Sequence, residues 1–314
     1  LTAASTGVDN VAVGANAGDA VTTGADNTFV GDNAGGATTT ANNNVAVGSS
    51  ALLVNSTGTQ NVAVGASALL SNTTASYSTA VGYDAAKVNS TGASLTAVGS
   101  YALDANTTGN YNTAVGSSAL GANTTASNNT ALGYSALYVN STGSYNTAVG
   151  HEALTANTTG EQNVAMGRGA LIANTTASYS VAVGDSALTS ATTGGSNTAI
   201  GSAAGLSIST GSNLQAFGKD AARSGSPGGA ATTGSNAVYI ADENITAAYI
   251  QVDWTISSDE RDKTDFTALD LGLDFVKDLA PVTYKWDKRS NYINKNDPAV
   301  DLDKVVADGT HKED

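Results

Sequence analysis

The sequence predicts an all-β protein folded as a parallel β-solenoid, or β-roll, of 17-residue coils, and three observations support this fold class. Glycine recurs every 17 residues without insertion or deletion, several other positions of the repeat keep one kind of residue, and no copy has the apolar spacing of an amphipathic helix. The recurring glycines are Gly14, Gly31, Gly48, Gly65, Gly82, Gly99, Gly116, Gly133, Gly150, Gly167, Gly184, Gly201 and Gly218.

Three further positions are locked to each glycine. Alanine lies three residues after every one, from Ala17 to Ala221, and threonine lies eight residues before, from Thr6 to Thr210. The residue directly before each glycine is always apolar, as Val13 is. A single inserted residue would move every later side chain off its place in a stack. The constant period therefore predicts that successive copies lie directly on top of one another.

The copy at 112–128 shows how one coil is expected to fold. Its first residues, Asn-Thr-Ala-Val, have the small and β-branched character of a strand, and Gly116 permits a bend. Ala119 and Leu120 form a second short apolar piece, and the Asn-Thr-Thr stretch that begins at Asn123 is typical of a turn. We expect two strands and two corners per coil. Thirteen coils at the ~4.8 Å spacing of paired strands make a rod ~60 Å long.

Stacking is expected to align equivalent side chains in columns. The valines before the glycines are expected to form a dry stripe, the alanines to let backbones approach closely, and the asparagines before the strands to form a hydrogen-bonded ladder. One small coil buries few side chains, so we expect its exposed Ala and Leu columns to be covered by association into a homotrimer. The ladder asparagines are Asn10, Asn27, Asn44, Asn61, Asn112, Asn129, Asn146, Asn163 and Asn197.

The composition changes where the repeat ends. Residues 223–229, Arg-Ser-Gly-Ser-Pro-Gly-Gly, have the composition of a linker, and 237–240 and 248–252 are strand-like. The charge density then rises, and the pattern predicts a helix at about 266–279 and a strand at 282–286. The predicted domains are the repeat at 1–222, a linker and small β connector at 223–257, and the start of an α+β module at 258–314.

The repeat resembles a known pattern. Asn-Val-Ala-Val-Gly at 44–48 and 61–65, and Asn-Thr-Ala-Val-Gly at 112–116 and 146–150, are similar to the head repeats of trimeric autotransporter adhesins and to repeats of phage tail fibres. The resemblance covers residues 1 to about 222. It implies a trimer of left-handed parallel β-rolls.

A second resemblance lies further along the chain. The string Ser258-Asp259-Glu260-Arg261-x-Lys263, followed by Leu-Ala-Pro-Val-x-Tyr at 279–284, resembles the C-terminal intramolecular chaperone of endosialidases and phage tail fibres. This resemblance implies a module that trimerises, guides folding of the fibre and in many members cuts itself off.

The same resemblance assigns residues to the cut. The cleaved bond would be Ser257–Ser258, with Ser258 as the nucleophile and Lys263 as the base, while Asp259 and Arg261 fill the other motif positions. A desolvated lysine can accept the proton of a serine hydroxyl. Ser257 with Glu260, on the other hand, also fits a helix capping box, which requires no chemistry, and both roles can coexist.

Other site types find little support. The net charge of −14 and the pI near 4.3 argue against nucleic-acid binding, and no apolar run is long enough to span a membrane. His151 and His311 lack metal-ligand spacing, and Asp297, Asp301 and Asp303 are expected to be solvated. We expect no metal, no cofactor and, without Cys, no disulfide.

Asn-x-Ser/Thr sequons recur in the turn of the repeat. Glycosylation would require a glycosylating host, and turn chemistry explains these asparagines more simply. The sequon asparagines are Asn55, Asn72, Asn89, Asn106, Asn123, Asn140, Asn157 and Asn174.

These features together favour a structural fibre in the tail of a phage virion, with other virion tail proteins and a host cell-surface glycan or receptor as partners. The alternative is a bacterial trimeric surface adhesin or extracellular filament. A polysaccharide-degrading tailspike would need a carboxylate pair, which the repeat does not offer. We expect no turnover enzyme, only a single self-cleavage. Because the chain begins Leu-Thr-Ala-Ala without Met, we expect it to be part of a longer polypeptide.

Overall fold

The computed structural model describes residues 6–223, 229–240, 242, 244 and 245. Within these residues the chain forms one sheet of 14 parallel strands whose spatial order is the order in sequence, and it contains no helix. The strands are β1 (Val11–Val13), β2 (Thr28–Val30), β3 (Val45–Val47), β4 (Val62–Val64), β5 (Thr79–Val81), β6 (Thr96–Val98), β7 (Thr113–Val115), β8 (Thr130–Leu132), β9 (Thr147–Val149), β10 (Val164–Met166), β11 (Val181–Val183), β12 (Thr198–Ile200), β13 (Leu214–Phe217) and β14 (Ala237–Ile240).

Successive coils stack in register, as the constant period predicts. Each residue of β6 pairs with the residue 17 positions later in β7, so that Ala97 lies opposite Ala114. The same register holds from β1 to β13. The parallel β-solenoid is therefore confirmed.

The prediction of two strands per coil is wrong. Each coil has one strand, and the second apolar piece, such as Ala119 and Leu120, lies in consecutive turns. Leu120 adopts φ 52°, which no strand residue does. Its amide still donates to the carbonyl oxygen of Ala136 in the next coil, at 3.0 Å. The turns are thus hydrogen-bonded between coils without becoming extended.

The core consists of alanine and leucine. The middle residue of each strand points inward, as Ala114 does, and the pair Ala119 and Leu120 meets it from the other wall of the coil; all three are fully buried. The coil is narrow, and the large residue at the inward position of β2, Phe29, lies against a glycine. A Cβ at Gly35 would overlap the Phe29 ring, so the glycine makes the space that the ring fills.

Two expectations about the columns are corrected by this packing. The residue before each glycine faces outward and is partly exposed in the single chain, so it does not form a dry stripe within the coil; Leu132 is 47% exposed and Ile200 45%. The Ala and Leu columns, expected to be exposed, are the buried core. The alternation of strand side chains explains the first correction, because an inward alanine places its two strand neighbours outside. The second arises because the turn residues, such as Ala119 and Leu120, pack against that inward alanine.

Two structural constraints require glycine at the recurring position. Gly99 adopts φ 137°, which residues with a Cβ rarely adopt. A Cβ there would lie 2.5 Å from the carbonyl oxygen of Gly116 in the next coil. The bend was predicted, and the close approach between coils adds a second constraint.

The predicted asparagine ladder is present. Asn44 Oδ1 accepts the amide of Asn61 at 2.9 Å, and Asn61 Oδ1 accepts the amide of Ser78 at 3.0 Å. The asparagine side chain also donates to a backbone carbonyl, as Asn112 Nδ2 does to Ala126 at 2.7 Å. These buried amides satisfy backbone groups at the corner before each strand.

The last described strand extends the same sheet. The strand predicted at Ala237–Ile240 is confirmed as β14 and pairs in parallel with β13, Leu214 opposite Ala237. Its coil is longer than the others, since the paired residues are 23 rather than 17 positions apart. The strand predicted at 248–252, the helix at about 266–279 and the strand at 282–286 lie outside the described residues.

Candidate functional site

The outer face of the sheet is the first candidate surface. It comprises two columns, the first and third residues of each three-residue strand, represented in β7 by Thr113 and Val115. From β1 to β12 the first column contains only Thr and Val, and the third only Val, Leu, Met and Ile. No charged residue interrupts either column. The outer face is therefore a continuous, largely apolar strip along the sheet, of a kind that monomeric soluble proteins rarely leave uncovered.

A second ladder, which sequence reasoning missed, is formed by the sequon asparagines. Asn123 Nδ2 donates to Asn106 Oδ1 at 2.8 Å and to the carbonyl oxygen of Ala126 at 3.1 Å. All eight sequon asparagines are fully buried. Their amides are inaccessible in the fold, so glycosylation has no support and their role is structural, as the turn chemistry suggested. Their 17-residue spacing was the available signal.

This second ladder ends at Asn174. Asn174 Nδ2 donates to Asn157 Oδ1 at 2.7 Å, but the next coil carries Ala191 at the equivalent position. Asn174 Oδ1 is buried and, within the described part of the chain, has no hydrogen-bond partner.

The threonine column lies at an exposed corner beside a column of hydrogen-bonding hydroxyls. Thr124 Oγ1 donates to the carbonyl oxygen of Ser141 at 3.2 Å, and the equivalent bonds in other coils measure 2.9 to 3.2 Å. The following residue, Thr125, is exposed. Either Ser or Thr occurs at the donating position, as Ser90 shows with a 2.9 Å bond to Thr107. This corner is thus held by a hydroxyl bond between coils.

Exposed tyrosines form two sets. Tyr77, Tyr111, Tyr145 and Tyr179 occupy one repeat position, two residues before the strand, and recur every second coil. We call these four residues the tyrosine row. The other exposed tyrosines follow the strand, and they are Tyr83, Tyr101, Tyr134 and Tyr138. Tyr83 meets Tyr101 edge to face at 5.4 Å, and Tyr134 stacks on His151 at 5.2 Å. Sequence reasoning did not single out either set.

Few charges lie on the rod, and its lysines and arginines are paired with aspartates. Arg168 Nε donates to Asp185 Oδ2 at 2.8 Å across one coil spacing, which lowers the pKa of Asp185. Lys87 Nζ lies 3.0 Å from Asp84 Oδ2, and this hydrogen bond raises the pKa of Lys87. Burial raises the pKa of Asp104. These pairs stabilise local contacts and do not form a catalytic carboxylate pair.

Metal binding finds no support on the rod. His151 stacks on Tyr134, and its Nδ1 lies 3.6 Å from Glu152. Among the described residues, no group of three or more His, Asp or Glu side chains is placed to hold a metal ion. The same residues include no helix long and apolar enough to cross a membrane. His311 and the aspartates at 297, 301 and 303 lie outside the described residues.

The predicted cleavage residues Ser257, Ser258, Asp259 and Lys263 also lie outside the described residues, together with Glu260 and Arg261. Their geometry is therefore not part of the fold described above, and their roles stay predictions.

Comparison with known families identifies one relationship. Residues 258–301 match the family model of the chaperone of endosialidase, and the match begins at Ser258. No curated protein and no solved structure matches the chain.

The match and the fold fit the class of protein that the sequence resembles. A β-solenoid of 17-residue coils followed by a segment similar to the chaperone of endosialidase fits a protein of the phage tail-fibre type. The resemblance seen in the Ser-Asp-Glu-Arg-x-Lys string is thereby confirmed at the level of the family.

Proposed function

We propose that the protein is a structural fibre of a phage virion, a homotrimer that reaches the host surface and binds a glycan or receptor there. The observation that carries the proposal is the pairing of an uncharged outer sheet face, continuous over many coils, with a chaperone-of-endosialidase match at 258–301. The rod supplies length and rigidity, and the C-terminal module promotes trimeric folding. Other virion tail proteins hold the fibre on the particle.

Association through the outer face follows from the hydrophobic effect. Each coil places at least one Val, Leu, Met or Ile there, and burying apolar area contributes about 25 cal/mol per Å². Because the coils repeat, the free energies of burying these side chains add along one interface. Closed symmetry then limits the assembly to a defined number of chains, whereas an open arrangement would let it grow. A trimer matches the assembly that the resemblance to the chaperone module implies.

Charge placed on the outer face tests this interface. We expect the double variant Val98→Glu, Val115→Glu to sediment as a monomer, because three chains would bring like carboxylates together in an apolar contact. The matched control is Ser100→Glu, Ser117→Glu in the same two coils. Its column already accommodates Arg168, Asp185 and Lys219, so the control should remain trimeric.

The result that contradicts the interface is equally defined. A trimer that persists in the valine variant and in the control would place the contact elsewhere. Loss of the trimer in both variants would show that added charge disrupts assembly at either position, and so would not assign the contact to the outer face. Circular dichroism of each variant establishes that the solenoid is intact.

We also propose that the C-terminal module cuts itself at the Ser257–Ser258 bond. Lys263 accepts the proton of the Ser258 hydroxyl, and the oxygen attacks the carbonyl carbon of Ser257. The peptide bond breaks as the proton passes to the Ser258 nitrogen, and water hydrolyses the resulting ester. Asp259 belongs to the same motif, and the family match that starts at Ser258 supports this assignment. This is a single event in the life of the chain, not turnover.

Mass spectrometry under denaturing conditions tests the cut. The wild-type chain should give fragments 1–257 and 258–314, and Ser258→Ala should give only the full-length chain. Ser257→Ala is the control, since it removes the capping-box hydroxyl but keeps the nucleophile and should still be cleaved. One full-length species from both the wild type and Ser258→Ala would show that no cleavage occurs at this bond.

The alternative function is a bacterial trimeric surface adhesin or extracellular filament, favoured by the resemblance of the Asn-Thr-Ala-Val-Gly repeats to adhesin heads. Cosedimentation with purified virions separates the two functions. A fibre protein pellets with the particles, whereas an adhesin stays with the bacterial envelope or the medium.

A further inference from the structure

The tyrosine row is exposed and contributes nothing to the core. Tyr77, Tyr111, Tyr145 and Tyr179 are between 60% and 65% exposed. None of the four makes a ring contact with another aromatic residue among the described residues. Packing within the coil therefore does not explain why a large aromatic side chain recurs there.

The backbone conformation also disfavours tyrosine at this position. All four residues have positive φ, from 56° to 63°. Asn and Asp adopt this region more readily than bulky residues, and the equivalent coils do carry Asp9, Asp26, Asn43 and Asn128. Tyrosine thus occupies a conformationally unfavourable site in four coils without gaining burial. A contact outside the chain accounts for its presence.

The spacing of the row keeps the aromatic faces open. Tyrosines in adjacent coils would be ~4.8 Å apart and would stack on one another, whereas alternate coils place them ~9.6 Å apart. The intervening residues are Ser94, Asn128 and Gln162, which are neutral and carry hydroxyl or amide groups. Aromatic platforms therefore alternate with hydrogen-bonding side chains along a line.

The row is held rigidly in the stack. The Tyr77 amide donates to the carbonyl oxygen of Thr59 at 3.1 Å, and the amides of Tyr111 and Tyr179 make the same 3.1 Å bond to Ala93 and Glu161. A fixed backbone reduces the ordering cost of binding.

We infer that the tyrosine row binds a linear neutral glycan that lies along the rod. Sugar rings present apolar C–H faces that stack on tyrosine and hydroxyls that pair with Ser, Asn and Gln. The row spans six coil spacings, about 29 Å, so an extended oligosaccharide can run along it. The net charge of −14 disfavours an anionic glycan. This inference rests on the proposed function, since it names the receptor chemistry of the fibre.

Calorimetric titration of the full chain tests the inference, with cellohexaose and chitohexaose as neutral probes and hexagalacturonate as the anionic probe. The wild type should bind a neutral probe and not the anionic one. The variant carrying Tyr→Ser at positions 77, 111, 145 and 179 should bind at least about tenfold more weakly, a loss of about 1.4 kcal/mol. Serine occupies this repeat position naturally at Ser94 and Ser196, so the fold should tolerate the change.

The control variant carries Tyr→Ser at positions 83, 134 and 138, which are exposed tyrosines at other repeat positions. It should bind like the wild type. The inference is overturned if the wild type binds neither neutral probe, if it prefers hexagalacturonate, or if the row variant binds as tightly as the wild type. Equal losses in the row and control variants would also overturn it.

Sedimentation of the same samples separates this inference from the proposed function. A wild-type trimer that binds no neutral probe contradicts the tyrosine row alone, while a wild-type monomer contradicts the proposed fibre. A row variant that loses its trimeric state would assign the tyrosines to the contact between chains and so also overturn glycan binding.

Discussion

At the scale of single residues, buried amides join the coils. Asn106 Nδ2 donates to Asn89 Oδ1 at 2.9 Å and to the Gly109 carbonyl at 3.1 Å, and Asn106 Oδ1 accepts from Asn123 at 2.8 Å. One side chain thus links three coils. Because each group is buried, losing a partner costs about 1–3 kcal/mol, more than the bond itself contributes.

The end of this ladder permits a stabilising substitution. Ala191→Asn would supply a donor for Asn174 Oδ1, which is buried and lacks a partner within the described residues. We expect the free energy of unfolding to rise by about 1 kcal/mol in urea titrations. The reverse change within the ladder, Asn106→Ala, should lower it by about 1–3 kcal/mol. An Ala191→Asn variant less stable than the wild type would contradict this interpretation of the ladder end.

A second residue-scale prediction concerns Asp104, whose pKa is raised by burial. The folded chain holds the proton more tightly than the unfolded chain, so this carboxyl contributes stability at acid pH that is lost as the pH rises through its folded pKa. Asp104→Asn imitates the protonated form. Its melting temperature should exceed that of the wild type at neutral pH, and the difference should shrink on acidification.

Asp185→Asn is the matched control for this pH dependence. Its hydrogen bond from Arg168 lowers the pKa of Asp185, so this carboxyl contributes stability above its unfolded pKa that is lost as the pH falls. The control should show a difference of opposite sign to that of Asp104→Asn, and small because the pair is exposed. A melting temperature for Asp104→Asn that stays below the wild type at neutral pH would refute the prediction.

At the scale of the coil, stability should depend on complete repeats. In a solenoid each coil contacts mainly its neighbours, so removing one coil removes one interface and leaves the others unchanged. We expect deletion of residues 111–127, one whole period, to retain the β-sheet circular dichroism and a cooperative melt. Deletion of 111–126 leaves the later columns one residue out of register and should abolish the cooperative melt. Equal melts for the two deletions would contradict the stacked register.

The sequence predicts that the coils stack, but it does not predict which side chains face the core. The glycines at 17-residue spacing predict the register between coils, and every copy, including that of Gly99, keeps this spacing. Alternation shows that Thr113 and Val115 share a face but leaves open whether that face is inside. The coil is narrow, so the small Ala114 lies inward and its larger neighbours lie outside, a constraint of three-dimensional space. Leu120 was assigned to a strand because nothing in sequence reveals its positive φ.

The candidate surfaces were predictable to different degrees. The Ser258–Lys263 string carried enough identity to indicate the chaperone family, which the match at 258–301 confirms. The tyrosine row was not singled out, since exposure and backbone conformation give it meaning. The sequence alone does not distinguish Tyr111 from other tyrosines, whereas the structure shows its positive φ and its exposed ring.

At the scale of the whole solenoid, residues 6–223 form stacked coils whose outer sheet face is not covered by any other described part of the chain. The first and third positions of each strand repeat this exposure along the sheet, so every coil adds to the same strip. Association is then favoured more strongly as coils are added, whereas no single coil would support it. In the proposed fibre, reach and assembly both depend on the same repeat.

The central claim, that three chains join along this face, is tested most directly by the mass of the native protein. Sedimentation equilibrium of the uncut Ser258→Ala chain at micromolar concentration should give three times the chain mass of 31.0 kDa. A folded species of 31.0 kDa, with the β-sheet signal intact, would contradict the account.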